Sequence, residues 1–241
     1  MARERGKKYV EAAKQVEPGR LYSPAEAVAL VKQVSYASFD ATVEVHVRLG
    51  LDVRHADQQV RSVAVLPHGL GRTMRVLVFT QGEGIRLAED AGADYVGADD
   101  LIKRIEGGWL EFDVAVATPD MMGKVGRLGR ILGRRGLMPN PKSGTIAPAE
   151  QLPRLIREVR GGRLEFRTEK VALVHAPVGK VSFSAEQLLE NFGAFVDAVV
   201  RARPSGAKGQ YLRGLTIAPT MGPGVEVDVA QAVALAQQAA A

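Results

Sequence analysis

The sequence contains no cysteine. A disulfide framework, a thiolate metal site and a catalytic thiol are therefore excluded. Histidine is scarce as well. His46, His55, His68 and His175 are the only four and are scattered along the chain, which argues against a metal site built from histidine alone. No stretch of about 18 apolar residues is present, so no membrane-crossing helix is expected. The basic opening MARERGKKYVEAAK has no apolar run behind it and does not read as a signal peptide, so a cytoplasmic protein is expected.

Acidic residues are absent from two long stretches. Residues 121–145 carry Lys124, Arg127, Arg130, Arg134, Arg135 and Lys142 with no acid, and residues 198–225 carry Arg201, Arg203, Lys208 and Arg213 with none. Residues 83–120, by contrast, hold ten acids against Arg86, Lys103 and Arg104. The net charge of +5 is modest, but its uneven placement suits a polyanion bound over part of the surface. The 241 residues, 46% hydrophobic and 24% charged, suffice for one large or two small domains with a real core.

Hydrophobic spacing divides the chain into three pieces. In residues 1–66, Ser23-Pro24-Ala25-Glu26 reads as a helix start with a capping box, followed by apolar residues at helical spacing. Thr42–Leu49 then alternates as a strand, with Val43, Val45, Val47 and Leu49 on one face and Thr42, Glu44, His46 and Arg48 on the other. Val60–Leu66 reads as a second strand. Residues 67–158 alternate strand and helix: Arg75–Thr80, Gly84–Ala91, Tyr95–Val96, Asp99–Glu106, Val114–Ala117 and a helix from Pro119 to Leu132. That order predicts a Rossmann-like three-layer α/β domain with a parallel sheet. In residues 159–229, strands at Arg163–Arg167 and Val171–His175 precede a second capping box at Ser184–Gln187. A helix follows, then strands at Leu212–Ala218 and Val225–Val229.

The end pieces do not alternate in this way. The expected architecture is an α/β protein of two domains. A discontinuous α+β domain with an antiparallel sheet is formed by 1–66 and 159–229, and the α/β domain 67–158 is inserted into it. The Ala-rich tail 230–241 is expected to be a frayed helix or disordered.

The glycine-rich run 123–145 does not match the known phosphate-loop patterns. Pro141, not glycine, precedes Lys142-Ser143, so the Walker pattern fails. Its glycines lie at the end of a helix and beyond it, so the dinucleotide pattern fails too. The run reads either as a basic, backbone-rich surface for RNA phosphates or as an ordered loop. Gly206-Ala207-Lys208-Gly209 and Ala218–Gly224 flank a strand. Thr220, Met221 and the bare backbone of Gly222 suit sugar hydroxyls and a shallow RNA groove, or simply a hairpin turn. Phe39 is a core anchor or a stacking platform. Asp52 and Asp57 flank His55 without any triad signature. No catalytic residue, metal site or cofactor is expected.

Seven blocks, in order, carry a resemblance. They are SFDATVEV at 38–45, LPHGLG at 66–71, AGADYVG at 91–97, ATPD at 117–120, LGRILGRRGLMPNPKSGT at 128–145, HAPVGK at 175–180 and TMGP at 220–223. Together they resemble the L-one family of large-subunit ribosomal proteins, in its bacterial form, over about residues 1–229. The resemblance implies the two-domain fold described above and binding of 23S rRNA in a mobile stalk near the site where deacylated tRNA leaves. It also implies tRNA release, repression of the protein's own operon mRNA, a place on the cytoplasmic ribosome and a monomer away from it. Carried over by motif, the RNA-binding residues are Phe39, Thr42, Glu44, Thr220, Met221 and Gly222, with Lys208 added from the basic loop beside them. Arg130, Arg134, Arg135 and Lys142 are then secondary contacts. Glu44 is an unusual choice for a polyanion, although a carboxylate accepts from 2′-hydroxyls and base amino groups. Ser38 stands where the family usually has Lys, Ala41 where it has Glu, and Arg134 where it often has Pro. The competing reading is a nucleotide-dependent α/β enzyme using 123–145 for phosphate.

Overall fold

The computed structural model describes residues 6–239. In chain order the elements begin with α1 (Lys7–Ala13), α2 (Pro24–Val34), β1 (Thr42–Leu49), β2 (Arg61–Val65), β3 (Val76–Phe79) and α3 (Glu83–Asp90). Next come β4 (Tyr95–Gly97), α4 (Asp99–Glu106), β5 (Val114–Ala117), α5 (Met122–Val125), α6 (Gly129–Arg134) and α7 (Leu152–Arg160). The chain closes with β6 (Arg163–Arg167), β7 (Leu173–Lys180), α8 (Ala185–Arg201), β8 (Leu212–Pro219), β9 (Val225–Val227) and α9 (Val229–Ala239). The fold is mixed α/β, with an antiparallel and a parallel sheet. The described residues form two compact units, one running up to Gly71 and from Leu164 onward, the other Arg72–Arg163.

The first unit is built on an antiparallel sheet of order β7-β1-β8-β9, while β2 and β6 pair separately. The alternation in β1 places Val43, Val45 and Val47 fully in the core and leaves Thr42, Glu44, His46 and Arg48 on the outer face. The inner face is covered by α2 and α8. Both helices start with a reciprocal capping box, Ser23 with Glu26 and Ser184 with Gln187. On α8, Leu188, Phe192, Phe195, Val196 and Val199 recur at helical spacing and are all buried, with Phe195 edge-on to Phe166 at 5.5 Å. Asn191 is fully buried on the same helix and tied to the chain around it. Its side chain accepts from the His68 N–H at 3.0 Å and donates to the carbonyls of Gly69 at 3.0 Å and Val178 at 2.8 Å. That fastens the turn 67–71 to the sheet. The turn ends at Gly71, whose φ of +70° and lack of room for a Cβ (2.7 Å from Lys180 Cγ) both require glycine.

The second unit has the parallel sheet β4-β3-β5. Every residue of β3 is buried. Val76 and Val78 face Leu152, Leu155, Ile156 and Val159 of α7, while Leu77 and Phe79 face Leu101, Ile105, Leu128 and Leu132. Helices on both sides explain why these strands read as unbroken apolar runs.

Two expectations need correction. The Ala-rich tail is ordered as far as it is described: α9 packs Ala232 and Ala236 into the core with α8, because small side chains allow close helix approach. The stretch Pro119–Leu132 is not one helix. It breaks into 3₁₀ turns at Pro119–Met121 and Gly126–Leu128 alternating with α5 and α6. A Cβ at Gly123, Gly126, Gly129 or Gly133 would meet nothing within 4 Å, so packing does not demand these glycines. Each weakens a helix by about 0.5–1 kcal/mol relative to Ala. Finally, α1 and α7 were not foreseen, although Leu152, Leu155, Ile156 and Val159 have the i, i+3, i+4, i+7 spacing of a buried helix face.

Candidate nucleic-acid interface

At one end of the first unit's sheet, β1 starts where β8 ends. There the Thr220 N–H donates to the Thr42 carbonyl at 2.8 Å, and the Thr42 N–H donates to Thr220 Oγ1 at 3.0 Å. The Thr220 hydroxyl in turn donates to the Thr42 carbonyl at 3.1 Å. Its one proton is thus committed to the sheet, and the hydroxyl keeps only acceptor capacity for a ligand. The Thr42 hydroxyl accepts from Lys180 Nζ at 2.8 Å and retains its own proton for donation outward.

The chain then turns. The Gly222 N–H donates to the Pro219 carbonyl at 2.9 Å, and Met221 takes φ 68°. In such a turn the third residue is ordinarily glycine, since the left-handed conformation costs an L-residue about 1–2 kcal/mol. Met221 nevertheless occupies it, with its side chain 70% exposed and its carbonyl held by the Tyr36 hydroxyl. Gly222 must be glycine for a different reason: a Cβ would lie 2.5 Å from Pro219 Cγ. Phe39 is 58% exposed three residues before Thr42, which removes the core-anchor reading. Its loop is pinned where the Asp40 carboxylate accepts from the Ser182 N–H at 3.1 Å and hydroxyl at 2.8 Å. Two large apolar side chains are therefore held out from one end of a sheet on rigid backbone.

Glu44, His46 and Arg48 continue along the outer face. His46 and His175 form a cross-strand pair with their Nδ1 atoms 2.6 Å apart. Sequence reading missed it, because nothing local to either residue announces the register. Lys208 lies elsewhere. It precedes Leu212, which pairs with Leu49, whereas Pro219 pairs with Val43. About 20 Å of strand separates Lys208's end of the sheet from Met221's. Its loop closes on Tyr211, whose hydroxyl donates to the Val199 carbonyl at 3.2 Å and whose burial pushes its pKa up to about 12.

In the second unit, Arg130, Arg134, Arg135 and Lys142 are exposed, and their side chains have no hydrogen-bond or ion-pair partner among the described residues. Arg130 and Arg134 ride on α6, and Lys142 sits on a 3₁₀ turn capped by Asn140. The segment beyond α6 is also a built piece of the fold. The Asn140 N–H donates to Thr145 Oγ1 at 2.8 Å, the Arg163 guanidinium donates to the Ser143 carbonyl at 2.7 Å, and Ile146 bridges to Ala117. The glycines of 123–133 lie within helical turns, not between a strand and the helix it opens, so they do not form a phosphate cradle. Asp52 and His55 are an exposed loop pair 3.9 Å apart.

The first unit thus presents a polar sheet face with an exposed apolar rim, and the second a basic helical surface. The family model described as "Ribosomal protein L1p/L10e family" matches residues 31–223. The large ribosomal subunit protein uL1 of Chloroflexus aurantiacus is 63% identical over 224 residues, covering 92% of this chain and 94% of that protein. The proteins of the same name from Thermomicrobium roseum and Dehalococcoides mccartyi are 59% and 57% identical, over 97% and 93% of this chain and 97% and 94% of theirs. The chain belongs to the ribosomal protein L1p/L10e family, a family of structural ribosomal proteins and not of enzymes. The nucleotide-enzyme reading of 123–145 is set aside accordingly.

Proposed function

We propose that the chain is a component of the large ribosomal subunit that binds 23S rRNA through the first unit, using Phe39, Thr42, Glu44, Thr220, Met221 and Gly222. The observation that carries this is Met221: an exposed apolar side chain in a left-handed turn is doubly unfavourable in the free protein, and such outliers concentrate at binding sites. Met221 and Phe39 supply shape and stacking, and Thr42, Glu44 and the Gly222 backbone meet ribose and base edges. Lys208 at the far end of the sheet, and Arg130, Arg134, Arg135 and Lys142 in the second unit, add phosphate contacts.

The two units act as domains, the first discontinuous and RNA-binding and the second inserted. In the ribosome they form the mobile stalk beside the tRNA exit, aid release of deacylated tRNA and, bound to a look-alike site, repress the protein's own operon mRNA. Away from the ribosome the protein is monomeric. The test is filter binding of a stalk 23S rRNA fragment across a salt series. We expect log K to fall linearly with log salt, and a chain joining 1–71 to 164–241 by a short linker to keep most of the affinity. Tight binding by residues 72–163 alone, with none by the joined chain, would place the site in the second unit and overturn the proposal. Loss of the mRNA and tRNA roles would show instead in a reporter under the operon leader and in tRNA dissociation rates.

A further inference from the structure

His46 and His175 stand opposite each other on β1 and the edge strand β7, on the outer face, about 13 Å along β1 from Thr42. Their side chains are 31% and 38% exposed, so both are half-buried yet reachable. The rings meet edge-on with centroids 4.8 Å apart. Their Nδ1 atoms are 2.6 Å apart, a distance that requires one proton between them and forbids two. On the outer side, His46 Nε2 lies 4.0 Å from the Glu44 carboxylate and His175 Nε2 lies 3.9 Å from that of Glu169.

These contacts restrict the protonation states. If both rings are neutral, the ring that donates from Nδ1 has a bare Nε2, and a lone pair then faces a carboxylate. One added proton makes every contact attractive, with a shared Nδ1 proton and an Nε2–H toward each carboxylate. A further proton would set two N–H groups against each other. The pair therefore exchanges one proton while keeping its geometry. The other charged groups around it are Arg48 on β1, Arg213 and Glu226 from β8 and β9, and Asp228 at the base of α9, which line the adjoining groove of about 640 Å³. Without ligand, half-burial, and then the neighbouring His175, hold the His46 pKa below the usual histidine value.

We infer that the His46–His175 pair is part of the RNA-binding face and takes up one proton when RNA binds, and that this proton masks the carboxylate of Glu44. The inference rests on the RNA reading of this sheet. It also accounts for a carboxylate in the middle of a surface meant for a polyanion. The phosphate field favours the imidazolium, and the imidazolium neutralises Glu44, so RNA binding and protonation strengthen each other.

The test uses the full chain and the stalk rRNA fragment, with dissociation constants measured from pH 5.5 to 8.5 at fixed ionic strength. Uptake of one proton makes the affinity rise by up to about tenfold for each unit of falling pH. His46→Gln, His175→Gln and the double variant should flatten that slope to below about twofold per unit, and Glu44→Gln should raise the affinity at pH 8. NMR titration of the two imidazoles in the wild-type protein, free and RNA-bound, reads the proton directly and does not depend on any variant folding. An upward shift of the pair's titration on RNA binding is the expected result. An unshifted titration, or equal slopes in wild type and a folded double variant, overturns the inference and leaves RNA binding standing. A wild-type chain that binds no RNA at any pH overturns both.

Discussion

The sheets of the two units differ in what they leave uncovered. In β1 every second residue is buried and the others, Thr42, Glu44, His46 and Arg48, keep a path to solvent; in β3 all four residues are buried. Among the described residues the antiparallel sheet carries helices on one face, whereas the parallel sheet is enclosed because its crossovers lay helices on both. The first unit can therefore present hydrogen-bonding groups at fixed backbone spacing. The second has only the solvent side of its helices to offer, and there it offers guanidinium groups. On the proposed function, the first surface reads shape and ribose and the second neutralises phosphate.

The strongest way to break this comparison is to unfold one unit and watch the other. Phe195→Ala removes a fully buried ring and should cost the first unit about 3–5 kcal/mol. The single tryptophan, Trp109, lies in the second unit against Tyr95 and Phe112. Its fluorescence midpoint in urea should stay in place while the helical circular-dichroism signal of the first unit melts early. A Trp109 transition that moves equally would mean the units unfold together.

Next in size is Met221→Asp. A carboxylate pressed against RNA without a partner should weaken binding by about 2 kcal/mol or more, with the sheet intact by circular dichroism. Unchanged affinity would reduce the turn to a mere connector. Met221→Gly separates strain from recognition. It should raise stability in chemical denaturation by about 0.5–1 kcal/mol, because the left-handed backbone is relieved while some unfolded-state entropy is added. RNA affinity should fall in the same protein. A loss of both would show that Met221 packs rather than binds. The Thr220 hydroxyl, already bonded to Thr42 at both its hydrogen and a lone pair, belongs first to the fold. Thr220→Ala should accordingly cost about 1 kcal/mol of stability with little change in salt dependence.

The smallest effects are expected on the basic surface. Arg130→Ala, Arg134→Ala and Arg135→Ala should each change stability by less than about 0.5 kcal/mol. Each lowers the salt slope of RNA binding by about one where it contacts phosphate, as should Lys208→Ala at the far end of β8. A fall in affinity that is independent of salt would move these residues into the recognition surface and erase the contrast between the units.

Much of the fold was legible because its causes are local. The capping boxes at Ser23 and Ser184 satisfy helix ends within four residues, and the β1 alternation follows from the pleat alone. The Ala-rich tail was misread because alanine carries little hydrophobic signal; packing beside α8 makes Ala232 and Ala236 core residues. The stretch Pro119–Leu132 was read as one helix, whereas it breaks into short α and 3₁₀ turns around its glycines. For the candidate site, the motifs pointed to Phe39, Thr42 and Met221. Neither the exposure of Phe39 nor the left-handed backbone of Met221 was readable from residue identity.

By itself, the sequence determined the classes of chemistry this protein lacks, the places where helices begin, the strand with one polar face and the family to which the chain belongs. These depend on residue type and on spacing of a few positions. The tertiary structure alone decided that the Thr220 hydroxyl is spent on Thr42, that Lys208 stands a strand's length from Met221, and that His46 meets His175 across the sheet. Each of these joins residues more than 120 positions apart, or separates ones that are near in sequence, through strand register. Register is set by the packing of the whole core, a quantity that no short stretch of sequence contains.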